Sequence, residues 1–208
     1  MRNGLFVIGL AALASTCSAG VITFDEFPAM DNGAALTTAY SGIGVTFDDR
    51  NTGTWDGIDN GDPGGWGVNG TNGPNFLGNN GGNNGETYAE SIFFAVGQAT
   101  VSFDASRTGG SSSGQTLTAN AYDGSNNLID SVVLTLGNVN AWTAFSVSGA
   151  GIARVDVIGS TSGFSPYAID NLQFTSGSAS VPEPGSILLL AIGVAGLAGV
   201  KRARSRKA

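Results

Sequence analysis

The side chains best suited to chemistry in this sequence are carboxylates, and two of them stand where a β-strand would turn its apolar residues. In the run YAIDNLQF, strict alternation puts Asp170 on the face of Ala168, Leu172 and Phe174. In VITFDEF the same spacing aligns Glu26 with Ile22 and Phe24. An unpaired buried charge is very costly, so a carboxylate at such a position needs a partner. One solution is a divalent cation, since calcium takes oxygen ligands and a single structural Ca2+ shared between two strands would satisfy both acids. The other is a strand end, where the acid accepts hydrogen bonds from a turn.

Carboxylates are also the only catalysts on offer. The chain has no histidine, and its single cysteine, Cys17, falls in the N-terminal segment. That excludes serine–histidine triads, cysteine nucleophiles and histidine-ligated zinc from the body of the protein. Paired acids can hydrolyse glycosides without histidine, and Asp25, Glu26, Glu86 and Glu90 are formally available. Glu86 and Glu90 share one face of the run ETYAESIFF with Tyr88. Exposed acids on a strand face are equally what an acidic sandwich needs for solubility, so the sequence is read as non-catalytic.

Binding residues are expected between Asn51 and Gly85, a stretch with twelve glycines and nine asparagines. Only NFLG in it resembles a strand; it offers too little apolar surface to offset the entropy of ordering it, and it reads as one long loop. Trp55 and Trp66 are its large aromatics. Beside Asn and Asp side chains they make a carbohydrate-binding surface, the ring covering a sugar face while amides and carboxylates bind hydroxyls. The other reading has both tryptophans plugging an open end of the fold. Asp56, Asp59 and Asp62 in the same stretch lack the spacing of a known calcium loop and read as a solvated acidic turn. Asn69-Gly70-Thr71 fits a glycosylation sequon.

The elements that must position these groups are strands. Short runs rich in Val, Ile, Phe, Thr and Tyr recur from VITF at 21–24 through IGVTF, SIFFAV, TVSFD, QTLTANAYD, LIDSVVLTL, WTAFSV and IARVDVI to YAIDNLQF at 167–174. Val132, Leu134 and Leu136 alternate with Val133 and Thr135, and no useful helical period occurs between residues 20 and 180. The expected fold is all-β, a two-sheet β-sandwich with jelly-roll or galactose-binding-like connections over residues 20–175, followed by a linker at 176–180. First and last strands often lie side by side in such folds, which would bring Glu26 and Asp170 together.

Both ends read differently. Residues 1–19 carry Arg2, an apolar core from Leu5 to Leu13 and small residues closing on Ala19, the pattern of a secretory signal helix that signal peptidase removes after Ala19. Near the other end a helix over 185–200 spans about 24 Å, short of the ~30 Å of a hydrocarbon core. Five basic residues follow it, from Lys201 to Lys207, which should stay cytoplasmic and place the body outside. Residues 20–180 hold fifteen acids and three arginines, a net charge of minus twelve. A surface of that sign repels phosphates, so nucleic acid is excluded as a partner.

Val181-Pro182-Glu183-Pro184, then an oily segment, then KRARSRK resembles the PEP-CTERM sorting signal of exopolysaccharide-producing Gram-negative bacteria. The resemblance covers residues 181–208. It implies recognition at Val181, Pro182, Glu183 and Pro184 by an exosortase, transient residence in the inner membrane through the C-terminal helix, then release or attachment at the cell surface. The body is in turn similar to jelly-roll domains of PEP-CTERM proteins, which open with a strand like VITFDEF and close with one like YAIDNLQF. Related jelly rolls include carbohydrate-binding modules with a structural calcium, which implies Asp170 with Glu26 or Asp25 as its ligands. A partner among extracellular polysaccharides of a biofilm follows from the same resemblance; a passive envelope component without a discrete site is the alternative.

Overall fold

The computed structural model describes residues 19–26, 36–49, 56–59, 67–79, 89–109, 111, 113–160 and 166–177. All of them fall within one compact unit, Cys17–Gly177. The expected signal helix, the membrane helix at 185–200 and the sorting residues Val181, Pro182, Glu183 and Pro184 lie outside the described residues. Among the described residues no helix is long and apolar enough to cross a membrane.

Among the described residues, nine strands run in the order β1 (Ala19–Ile22), β2 (Val45–Asp49), β3 (Asp56–Asp59), β4 (Phe76–Asn79), β5 (Ala89–Arg107), β6 (Thr116–Asp123), β7 (Leu128–Thr135), β8 (Thr143–Gly159) and β9 (Tyr167–Ser176). A single turn of 3-10 helix at Ser41–Ile43 precedes β2. All strand pairings are antiparallel.

Two of these strands are long enough to serve two layers. The first part of β5 pairs with β2 and with the second part of β8, whose other neighbour is β6, which in turn carries β7. The second part of β5 pairs with the first part of β8 and with β9, and β9 carries β4 and β1 on its other side. The register between β5 and β8 shifts at Phe93/Gln98 and again at Gln98/Thr100, where both strands bend from one layer into the other. Glycine permits that bend. A Cβ on Gly97 would lie 2.8 Å from the Cα of Gly151, and Gly151 itself has φ of 79°.

Between the layers lies one apolar core. Ile92, Phe94, Leu117, Ala119, Val155 and Val157 face Val101, Phe103, Phe145, Ile169, Leu172 and Phe174 within a single cluster. Phe103 and Phe145 stack with ring centroids 5.2 Å apart and planes 7° from parallel. Strand alternation is the reason: in β6 Leu117, Ala119 and Ala121 are buried while Thr116, Thr118 and Asn120 are not.

Two expectations change. SIFFAV and TVSFD form one strand, β5, and most of WTAFSV joins IARVDVI in β8, because pairing continues through the glycines that read as breaks. The stretch at 51–85, expected as a long loop in which only NFLG resembles a strand, has β4 at that run and also β3, paired antiparallel with it. Asp-Gly-Ile-Asp has no strand propensity of its own. Its pairing comes from β4, which is buried along its length and bonded to β9.

Candidate functional site

The site is built on a defect in β9. Asp104 of β5 opposes Asp170, and Ser102 opposes Gln173, so Asn171 and Leu172 together oppose Phe103. Asn171 takes the extra residue in a left-handed conformation, φ 54°, which asparagine tolerates better than most. Side chains therefore change face there. Tyr167 and Ile169 before the bulge, and Leu172 and Phe174 after it, all join the main core. Ala168 belongs instead to a second, smaller cluster with Val68 and Phe76, flanked by Val139 and Trp142. The expected alignment of Asp170 with Leu172 and Phe174 is thus corrected, although Asp170 is fully buried.

Residues 67–75 run across the outside of this layer as a strap, and its polar atoms reach three fixed points. At one, Thr71 donates its backbone N–H and its hydroxyl to Asp170 Oδ2 at 2.6 and 2.7 Å, while Asn171 N–H donates to Oδ1 at 2.6 Å. At the second, Asn75 N–H donates to Asp25 Oδ1 at 3.0 Å and Asn75 Nδ2 to the carbonyl of Phe24 at 3.2 Å. At the third, Asn69 N–H donates to Asn140 Oδ1 and Trp142 Nε1 donates to the carbonyl of Asn69, both at 3.0 Å. Gly73 is glycine because a Cβ there would lie 2.1 Å from Asp25 Oδ2.

Glu26 does not face the core. β1 ends at Ile22, and Phe24 has φ of 60°, so strand alternation stops before Glu26 is reached. Glu26 is exposed and accepts from Thr23 N–H at 3.2 Å, Thr23 Oγ1 at 3.1 Å and Tyr40 OH at 3.0 Å. It is the turn acceptor of the two sequence alternatives. Burial pushes its pKa up, but the hydrogen bonds from backbone N–H groups and the Tyr40 and Thr23 hydroxyls outweigh that and hold it below the usual range.

Asp170 behaves in the opposite sense. Burial raises its pKa and the neighbouring charge of Asp25 adds to the rise, against the N–H and hydroxyl donors of Thr71 and Asn171. Tyr40 is pushed far up by burial, by its bond to Glu26 and by the charges of Glu26, Asp25 and Asp170. Three carboxylates thus act on one hydroxyl. Among the described residues they do not converge as a group of three metal ligands, and the one ion pair, Arg154–Asp156, lies elsewhere.

Other sequence candidates scatter. Asp56 and Asp59 lie in β3 rather than in an acidic turn, and Asp62 and Glu86 lie outside the described residues. Glu90 is in β5, opposite Asp49. Trp55 and Trp66 also lie outside; the described chain resumes after them at Asp56, opposite Asn79, and at Gly67, beside Val139 and Gly109. Sequence reasoning missed Trp142, Thr71 and Asn75, whose partners are remote in the chain. It also missed a network on the outer face of β8, where Arg154 Nε and Ser91 Oγ both donate to Asp156 Oδ1 at 2.8 Å and the guanidinium lies 4.3 Å from the Tyr122 ring centre.

Residues 180–203 match the PEP-CTERM protein-sorting motif, so the chain carries that motif. No curated protein resembles the sequence closely enough to count as a relative. Among solved structures, the K2 cleaved adhesin domain of Lys-gingipain is similar at 10% identity and a TM-score of 0.50, over 76% of this chain and 99% of that one. TmCBM61 in complex with β-1,4-galactotriose is similar at 12% identity and a TM-score of 0.43, over 62% of this chain and 86% of that one. The CBM22-1 xylan-binding domain from Paenibacillus barcinonensis is similar at 12% identity and a TM-score of 0.43, over 80% and 100%. Likeness at such identities concerns the fold alone, which is a β-sandwich.

Proposed function

We propose that this chain, which carries the PEP-CTERM motif at 180–203, is a cell-surface or extracellular-matrix protein sorted by an exosortase, whose sandwich holds polysaccharide without catalysing a reaction. The motif is the observation that carries the reading, since it marks an exported protein sorted through the cell envelope. Signal peptidase acts first, after Ala19, and the C-terminal segment holds the chain in the inner membrane until the exosortase cuts at Pro182-Glu183-Pro184. A body with no histidine and no cysteine beyond Cys17 supports a non-catalytic role. So does the engagement of Asp25, Glu26 and Asp170 in hydrogen bonds to their own chain.

Carbohydrate contact is assigned to Trp55 and Trp66, on the chemistry of aromatic rings among amides and acids. The test is a panel of bacterial exopolysaccharides presented to the mature body. Wild type is expected to bind at least one, and Trp55→Ala with Trp66→Ala to weaken that binding about tenfold or more, in line with the ~1.4 kcal/mol that a tenfold change represents. No binding to any glycan by wild type, with unchanged biofilm retention of the double variant, would leave a passive structural protein.

A structural calcium ion is a separate proposal, with Asp25 and Asp170 as its ligands. Two neighbouring carboxylates without an ion-paired cation among the described residues support it. Calcium takes six to eight oxygens, so backbone carbonyls and water would complete the set, and Glu26 joins only by leaving Tyr40. Melting with excess calcium is expected to exceed melting in chelator, and Asp170→Asn to abolish the difference. Equal midpoints in wild type would remove the ion.

A further inference from the structure

We infer that the end of the sandwich around Val96 rests on the lipid surface while the chain is still held in the membrane. The inference rests on the sorting reading above and adds a contact surface to it. Both ends of the folded body emerge at one place: Gly20, where the cleaved chain begins, pairs with Phe174 near the end of β9, and Ser176 pairs with Gln98 at the bend of β5. Gly177, the last described residue, packs beside Ala99. From Gly177 to Gly185, where the membrane helix is expected to begin, the chain reaches at most about 29 Å when fully extended. Whatever membrane holds the sorting segment, this end of the body is never far from it.

The same end is chemically unlike the rest of the molecule. Val96 is 65% exposed and Ile43 is 55% exposed, with Ala95, Ala150 and Gly151 exposed beside them. They are contiguous: Ala95 N–H donates to the carbonyl of Gly44 at 2.8 Å, and Gly97 lies against Gly151. The segments 36–47, 91–103, 143–153 and 171–177 that build this end contain no charged residue at all. At its rim, Asp130 Oδ2 accepts from Ser148 N–H, and Asp123 accepts from Ser125 and Asn127.

Electrostatics and apolar burial then favour one orientation. A body with a net charge of minus twelve over residues 20–180 is repelled by anionic headgroups. Only an uncharged surface approaches them without that penalty, and apolar side chains standing out from it gain by entering the interface. Leu128 belongs to the rim, next to Ile129 on Gly149, whereas Val133 is nearly as exposed as Val96 but lies farther along β7, opposite Thr118 and away from the exit of the chain. The occupant is therefore lipid, brought to this surface by the shortness of the tether.

The test uses protein from cells lacking exosortase, cleaved after Ala19 but uncut at the motif, and reconstituted into vesicles of phosphatidylethanolamine and phosphatidylglycerol. This form has no native cysteine. A polarity-sensitive fluorophore is placed on Val96→Cys or Ile43→Cys, and on Ala141→Cys and Val133→Cys as distant controls. The protein is expected to float with the vesicles, and labels at 43 and 96 to shift to shorter wavelength, losing the shift when the chain is cut after Gly177. Flotation with the same emission at all four positions would overturn the inference and leave the sorting reading intact. Failure to float would remove the membrane tether, and this inference with it.

Discussion

Asp170 accepts three short hydrogen bonds, two from Thr71 of the strap and one from Asn171, yet its carboxyl is harder to ionise in the folded protein than in the unfolded chain. The consequence for stability has a definite sign. A carboxyl whose folded pKa is raised contributes most below its unfolded value, and that contribution is lost as pH rises through the folded value. In chelator, wild type should therefore gain melting temperature over Asp170→Asn as pH is lowered from 7 toward 4, since Glu26 and the other acids titrate in both proteins. A difference that shrinks over the same range would contradict the assignment. The need of Asp170 for a partner was legible in its strand. The identity of that partner was not, because Thr71 is 99 residues away and comes within reach only after the chain doubles back. Nor did alternation foresee Asn171, since a single left-handed residue reverses every facing beyond it.

Among the elements, β5 and β8 decide the architecture by continuing through their glycines. Substituting Gly97 with Ala places a methyl 2.8 Å from backbone at Gly151, and backbone has no rotamer with which to retreat. The expected cost is about 1–3 kcal/mol, read from the urea midpoint. Gly124→Ala, where a Cβ meets nothing within 4 Å, should change stability by no more than about 0.5 kcal/mol. Equal effects of the two would place the bend elsewhere. Most strands were legible from alternation and β-branched composition, including the inward face of β7, where Val132 and Leu134 pack against the core and Leu136 just beyond the strand joins it. β3 was not, because its residues carry no local preference and depend on β4 and β9 for their pairing. Where a strand bends instead of ending is likewise invisible locally, since glycine serves both purposes.

For the whole molecule, the PEP-CTERM motif at 180–203 was legible because it depends on composition rather than on contacts. Apolar runs, a proline pair and a basic cluster keep their meaning without a fold, whereas the strap and its three anchor points have none until the sheet exists. Intact mass of the protein recovered outside the cell should correspond to a chain that begins at Gly20 and lacks the basic residues 201–207. Full-length protein in the cytosol, trimmed at neither end, would contradict that processing. The neighbouring positions of Gly20 and Phe174 carry one more consequence. A domain whose first and last strands lie next to each other can be spliced into a surface loop of an unrelated host without forcing that loop apart, so this sandwich is suited to transplantation as an insert and to circular permutation.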